Sequence, residues 1–394
     1  MCIPVPEPIP VPPEVRLFAK PLVAVGDLVK VGQLIGEESE KDLPVHASAS
    51  GKVKSIDDFD PITGEKVFSI VISSDGEQAL YDELNPPVIS NRAGFLDALK
   101  NSGAEWFNSI ENARDKLDYI LINAVPCEPY VTSDARAMID NAEDIFEGAV
   151  LLMKHMSPKK LIICVGDNNP EAAQKLKVLI SQADGISLHS LTSKYPQSHE
   201  KVLAHKITGR LTDTGCVVVN STTVSVFAKY IKTGMPYTHR IVTVGGSGVK
   251  NPKNLLVPLG TAIKHLFDYC GGLTDDATKI IMGGPMTGKA VPSLEMPLTK
   301  TVNAVLALNE KDSEVALETA CIKCGRCISG CPMNLMPSFI EDAFEQKNID
   351  MLDKLKVNLC IECGCCAYVC PAKRPLAQVV NLSKNRQQET HEEC

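Results

Sequence analysis

Between residues 16 and about 75 the chain alternates apolar and polar positions in short runs broken by glycine: Leu22-Val23-Ala24-Val25-Gly26-Asp27, Val29-Lys30-Val31-Gly32-Gln33-Leu34-Ile35-Gly36, Val45 to Val53 and Val67 to Ile72. A period of two with Gly-Asp turns predicts a small β-sandwich over 16–78. The pattern then changes. Over 90–235, helix-like stretches at 93–99, 142–154 and 223–231 alternate with continuous apolar runs from Tyr119 to Ala124, Leu161 to Gly166 and Cys216 to Asn220. That alternation predicts an α/β sheet. Ligands gather at the carboxyl ends of such strands, which here carry Asn123, Gly166 to Asn169 and Asn220 to Thr223. Residues 238–310 return to strand-like runs around one helical stretch at 261–269, the pattern of a small β-grasp-like domain. Their Gly-Gly pairs read as turns, since neither matches a phosphate-loop motif. Prolines at 4, 6, 8, 10, 12 and 13 predict an extended arm over 1–15, laid along another surface. Short helices are expected at 337–345 and 350–356, and a disordered polar tail at 384–394.

A length of 394 residues allows two to four domains, and 44% hydrophobic content provides sizeable cores. The net charge of −8 and the lack of a basic stripe exclude nucleic acid as a partner. There is no run of 18 or more apolar residues, so no transmembrane segment is expected. The N-terminus lacks a basic n-region and is too rich in proline for a signal peptide. Fifteen cysteines without an export signal imply a reducing, cytoplasmic setting. Histidines at 155, 189, 199, 205, 239 and 265 show no ligand spacing, and His46 reads as a packed strand residue. No nucleophile–base pair stands out, so no catalytic residue is assigned.

The cysteines carry the chemistry. Cys321-Ile-Lys-Cys324-Gly-Arg-Cys327-Ile-Ser-Gly-Cys331-Pro and Cys360-Ile-Glu-Cys363-Gly-Cys365-Cys366-Ala-Tyr-Val-Cys370-Pro begin 39 residues apart. Both follow C-x2-C-x2-C-x3-C-P, the bacterial ferredoxin spacing, in which the fourth cysteine of each run reaches the other cluster. The expected ligands are therefore Cys321, Cys324, Cys327 and Cys370 for one 4Fe-4S cluster, and Cys360, Cys363, Cys366 and Cys331 for the second. Gly325 and Gly364 let backbone amides approach sulfur. A disulfide framework would need an oxidising compartment, and structural zinc uses paired CxxC motifs rather than two four-cysteine runs. Cys365 breaks the repeat and reads as a thiol beside the cluster; Cys2 reads as incidental. Exposed 4Fe-4S chemistry points to an anaerobic setting.

Beyond these motifs, VGDLVKVGQLIGE followed by VHASASGKV resembles the biotinyl/lipoyl barrel-sandwich hybrid, although Lys41 lacks the context of a modified lysine. The ordered phrases PVHASASGKV, NAVPCEPYVTSD, DNNPEAA, KYPQSHEKVL, VVVNSTT, GGSGVKNPKNLLVPLGT and GGPMTGKAV, then the twin cysteine runs, resemble the RnfC family, relatives of which include PrdC and PduS. The resemblance covers nearly all of 16–375. It implies a multidomain α/β architecture: a barrel-sandwich hybrid (16–78), an α/β domain similar to the NADH/FMN-binding subunit of complex I (90–235), an SLBB-like β-grasp (238–310) and a two-cluster ferredoxin-like helical module (315–380). The compact length, without a long C-terminal extension, is more similar to soluble PrdC-type members than to membrane-docked ones.

By the resemblance, Asn123, Glu128 and Tyr130 match the family's Asn…Glu-Pro segment near FMN, and Asn220, Thr222 and Thr223 its Asn…Thr segment, so these six are the expected FMN/NADH contacts. Two family features are altered. The glycine-rich flavin loop corresponds to residues 100–110, where only Gly103 remains and Glu105 would repel a phosphate. A second glycine pair reads Ser198-His199. The expected function is an electron-transfer protein that relays electrons from NADH and flavin, or from a partner flavoprotein, through two 4Fe-4S clusters to a partner reductase. The alternatives are an FMN-dependent NADH:acceptor oxidoreductase and a structural subunit. A redox partner protein is expected, and peripheral association with a membrane complex is compatible with the chain.

Overall fold

The computed structural model describes residues 3–38, 43–60, 66–105, 110, 117–210 and 215–392. Cys2, Lys41, residues 106–109 of the altered loop and Cys394 lie outside them. The chain divides into two compact units, residues 1–284 with 289–310, and residues 285–288 with 311–394.

The first unit begins with the proline arm, which does not remain a free arm. Glu7–Pro8 pairs in parallel with Lys253–Pro258, and Lys253 Nζ lies 2.8 Å from Glu7 Oε2. Asn254 Nδ2 donates to the Pro4 carbonyl at 3.1 Å. Proline cannot donate to a ladder, so an edge is the sheet position open to it. Regular sheet pairing of the sandwich starts at Glu14–Phe18, whose alternate residues Val15 and Leu17 are buried. The strands order as Glu14–Phe18, Val67–Ser74, Gly51–Phe59 and Leu28–Val29 in one sheet, and Lys20–Pro21, Leu34–Glu38 and Leu43–His46 in the other. Ile35, Val45, Val53, Ile70 and Ile72 fill the space between them.

The α/β domain is a four-stranded parallel sheet in the order Ile186–Leu191, Lys160–Gly166, Tyr119–Ala124, Cys216–Asn220. The central strand reads YILINA because helices cover both faces of a parallel sheet, leaving no polar side. Its register sets Asn123 beside Asn220 on one neighbour and Cys164 on the other. The helices Ala142–Met156 and Ser221–Thr233 cross so closely at Gly148 that a Cβ there would lie 2.4 Å from Val224 Cγ1.

The third domain is a six-stranded sheet, Glu7–Pro8, Lys253–Pro258, His239–Gly245, Ala304–Asn309, Ala277–Met282 and Lys289–Ala290, with the helix Ile263–Tyr269 against it. It is locked to the α/β domain through buried polar groups. The amides of Thr132 and Ser133 both donate to Thr243 Oγ1, at 3.0 and 2.8 Å, and Thr132 Oγ1 donates to Asn254 Oδ1 at 2.9 Å.

The second unit is helical and internally repeated. Each half has residues of positive φ at equivalent positions: Lys323 and Glu362 (52° and 55°), Gly325 and Gly364 (72° and 74°), Asn334 and Lys373 (55° and 54°). Each half then forms a four-residue helix, Arg326–Ser329 or Cys365–Tyr368, and a longer one, Pro337–Glu345 or Leu376–Glu392. Between the halves, the expected helix at 350–356 is Ile349–Lys354 followed by a 3-10 turn, Val357–Leu359. The expectation of a disordered tail is corrected here. The last helix continues through 384–392, Ser383 and Gln387 are buried in it, and Lys384 Nζ pairs with Glu362 Oε1 at 2.8 Å. Polar composition misled because these polar groups are bonded within the unit. Among the described residues no helix is long and apolar enough to cross a membrane.

Candidate functional site

Two places gather the expected residues. The first is a cavity of about 160 Å³ at the carboxyl ends of the parallel strands, lined by Asn123, Glu128, Asp134, Ser198, Asn220 and Asn303, among others. It brings together Asn123, Glu128 and Asn220 of the six expected contacts. The other three do not line it. Tyr130 is 55% exposed, with φ of 65°. Thr222 and Thr223 form the first turn of Ser221–Thr233, whose N-cap is Asn220, its side chain accepting from the Thr222 amide at 2.8 Å. Gly284, read from the sequence as part of a turn, makes room for a cavity residue: a Cβ there would lie 2.1 Å from Glu128 Cδ.

Cys127, Asp134 and Asn303 were missed from the sequence. Cys127 lies inside the NAVPCEPY phrase, but Asn303 is far away in the chain and carried no signal. It arrives because the Ser133 hydroxyl donates to its carbonyl at 2.7 Å and its own amide donates to Asp134 Oδ2 at 2.8 Å.

The cavity's polar groups are already engaged. Asn123 Nδ2 donates to the Ser198 carbonyl at 2.6 Å, and Cys127 Sγ and Ser198 Oγ are 2.7 Å apart. Ser198 thus engages Asn123 through its carbonyl and Cys127 through its hydroxyl, the latter a contact that the glycine expected from the resemblance would lack. Burial pushes the Cys127 thiol pKa up, against the lowering effect of Ser198, with Glu128 and Asp134 adding to the rise. Cofactor sites run to about 300–1,000 Å³. This cavity is half the lower bound, its described walls include two carboxylates and no lysine or arginine, and an anionic phosphate is disfavoured there. As its described residues line it, this cavity does not fit FMN.

The second place is the cysteine module. One cavity is lined by Cys321, Cys324, Cys327 and Cys370, together with Lys323, Ser338 and Arg374. The other is lined by Cys331, Cys360, Cys363, Cys365 and Cys366, together with Leu335, Ala377 and Val380. The first contains three thiols of its own run and the last of the other; the second contains four of its own run, Cys365 included, and the last of the other. Backbone amides reach sulfur from Leu335 to Cys331 and from Glu362 to Cys360, both at 3.4 Å. Among the described residues no three His, Cys, Asp or Glu side chains gather tightly enough to hold a single metal ion; the thiols stand around cavities instead. Burial raises the thiol pKa values of Cys363 and Cys366 to about 12. Arg374 Nε holds the buried Glu341 at 2.8 Å, tying the last turn of the second run to the helix that follows the first.

Comparison with known proteins matches the cysteine module to a dicluster domain and the α/β domain to an FMN-binding one. Residues 3–77 match the RnfC barrel sandwich hybrid domain, 101–228 the Nuo51 FMN-binding domain, 241–290 the SLBB domain and 320–373 the 4Fe-4S dicluster domain. An NAD+-reducing [NiFe]-hydrogenase chain in its H2-reduced state shares the fold, with a TM-score of 0.51 and 15% identity over 76% of this chain; the chain spans 62% of that one. Fold and site together define a multidomain iron–sulfur electron-transfer protein built on a complex I-like NADH/FMN domain scaffold. The chain is 33% identical over 371 residues to a component of the proton-translocating ferredoxin:NAD(+) oxidoreductase complex of Clostridium ljungdahlii, covering 89% of this chain and 81% of the relative. It is 34% identical over 359 residues to the corresponding component of the Na(+)-translocating complex of Acetobacterium woodii, covering 86% and 80%. The chain belongs to the RnfC family.

Proposed function

We propose that this chain is a relay that takes electrons from a partner flavoprotein, passes them singly through two 4Fe-4S clusters and delivers them to a partner reductase. In this reading Cys321, Cys324, Cys327 and Cys370 hold one cluster, and Cys360, Cys363, Cys366 and Cys331 the other. The crossed composition of the two cavity walls supports that ligand set. The clusters supply one-electron transfer when bound. The protein's part is to place eight thiols, keep amides aimed at sulfur and hold the halves together through Arg374 and Glu341.

The observation that carries the choice of an external flavin is that Ser198 already bonds two of the cavity's polar groups. Hydride chemistry needs a flavin to split the electron pair before it meets one-electron clusters. A cavity whose Asn123 and Cys127 are bonded to Ser198 does not provide one. The α/β domain then acts as a scaffold for docking. A cytoplasmic location, with attachment to a larger redox complex through other subunits, fits such a relay.

The test is anaerobic purification with iron counting, flavin extraction and a spectrum with and without NADH. The relay predicts about eight irons per chain, no stoichiometric FMN and no bleaching by NADH, but full reduction by a one-electron donor. Bound FMN with NADH-driven bleaching would overturn it in favour of an NADH:acceptor oxidoreductase, the reading favoured by the convergence of Asn123, Glu128 and Asn220 on one cavity.

A further inference from the structure

The two cysteine cavities share a backbone and differ in their surroundings. Ile322 and Ile361 occupy equivalent positions, yet Ile322 is 65% exposed and Ile361 is 9% exposed. Cys321 and Cys324 are likewise exposed, whereas Cys363 is buried and Cys360 half-buried. The two following helices present different side chains to the loops. Leu376–Glu392 has 17 residues and fastens the second loop: Asn381 and Lys384 both bond Glu362, at 3.0 and 2.8 Å, and Lys384 also donates to the Cys360 carbonyl at 3.4 Å. Asn381 and Lys384 are the sixth and ninth residues of their helix; the same positions of Pro337–Glu345 are Asp342 and Glu345, and Glu345 pairs with Arg374.

Charge differs as well. Around the first cavity stand Lys323, Arg326 and Lys373, all exposed and, among the described residues, without a carboxylate partner. Their counterparts around the second are Glu362, Cys365 and Asn334. The nearby carboxylates Glu341 and Glu345 are taken up by Arg374, which also feels Glu318. The first site therefore opens to solvent through a loop carrying an exposed Ile322 next to Lys323, with Arg326 and Lys373 exposed near its ligands Cys327 and Cys370 in the chain, while the second is covered and carries a neutralised carboxylate.

We propose that the first loop is the docking port for the partner flavoprotein, and that this partner presents an acidic face around its flavin. The proposal rests on the cluster ligation and external flavin argued above. A cationic rim steers an anionic partner and orients it, and Ile322 supplies the desolvated centre of a small, transient contact. The step is a single electron: the flavin hydroquinone loses one electron and the first cluster gains it, with no group transferred.

The test uses the intact, cluster-loaded chain and a reduced flavodoxin, a small acidic flavoprotein, as the probe. Stopped-flow reduction is followed at low and high salt, and binding of the oxidised probe is measured separately. The port predicts a rate that falls about tenfold or more as salt rises, the range of electrostatic steering, and a similar loss at low salt in the triple variant K323E/R326E/K373E. The backbone tolerates these changes, since Glu362 occupies the Lys323 position of the other half with the same positive φ, and iron content verifies that both clusters are present. The control triple K347E/K354E/K356E changes net charge equally at exposed lysines away from the first loop, and it should keep the rate. Equal behaviour of the two triples, a salt-independent rate, or failure of flavodoxin to reduce a chain that dithionite reduces would each overturn the port while leaving the relay standing. Failure of every one-electron donor to reduce an iron-loaded chain would overturn the relay itself.

Discussion

His46 makes the barrel-sandwich domain acid-sensitive by an amount that can be worked out. It ends the strand Leu43–His46, and its Nδ1 is shut off from solvent without a hydrogen-bond partner. Burial, and then the nearby Lys300 ammonium, push its pKa down from 6.5 to about 3. The folded state thus keeps His46 neutral where the unfolded chain protonates it. Above pH 6.5 neither state holds the proton and stability is complete. As pH falls from 6.5 toward 3, only the unfolded state binds it, so stability is lost progressively. At pH 5 the loss is about 2 kcal/mol, and by pH 3 it approaches about 5 kcal/mol, at 1.36 kcal/mol per unit. The perturbation is His46→Gln, which keeps a polar side chain and removes the titration. The assay is hydrogen exchange of the amides of Gly51–Phe59 and Val67–Ser74 under graded urea, at pH 7 and pH 5, in both proteins. Burial also lowers the pKa values of His155 and His239, so both proteins weaken in acid and only the difference is diagnostic. Wild type should lose about 2 kcal/mol more than the variant over that interval. An equal loss would refute the account of His46 as a buried, neutral imidazole.

Replacing Arg374 by Met strands the buried Glu341 carboxylate and should destabilise the cysteine module by about 3–5 kcal/mol, read as faster exchange in Pro337–Glu345 and easier loss of iron. Cys331→Ala and Cys370→Ala should each damage a different cluster, Cys331→Ala the one held mainly by the second run and Cys370→Ala the one held mainly by the first; EPR that shows each variant losing the cluster of its own run would contradict the crossed ligation. Gly246→Ala places a Cβ 2.2 Å from the Ala307 carbonyl at a φ of 99°, and should lower stability by about 2–4 kcal/mol in denaturant titrations. Asn220→Ala removes the N-cap of Ser221–Thr233 and should cost about 1 kcal/mol, seen as fraying of that helix by exchange.

Local periodicity was enough for most elements. The parallel strands at 119–124 and 160–166 announced themselves because buried central strands tolerate almost nothing polar, and the edge strand at 216–220 by its continuous valine run. The expected helices at 93–99 and 142–154 are extended by a few residues in Arg92–Asn101 and Ala142–Met156, where capping rather than apolar spacing sets the ends. The tail misled because a polar segment looks unstructured unless one knows what it bonds to. The arm bonds Lys253–Pro258, and the tail helix is bonded to Glu362 through Asn381 and Lys384.

The candidate sites divide along the same line. Ligand spacing is a short-range property, so the two cysteine runs, their family and their iron–sulfur chemistry were legible in residue order alone. Whether the crevice at the strand ends is open was not. That depended on Ser198 meeting Asn123 and Cys127 from some 70 residues away, and on Asn303 arriving from another domain. Nor could residue order distinguish two nearly identical cysteine loops. Only the packed structure decided that one is fastened by Asn381 and Lys384 and the other left open, with Lys323, Arg326 and Lys373 showing no carboxylate partner among the described residues, because exposure and pairing depend on contacts between segments distant in the chain.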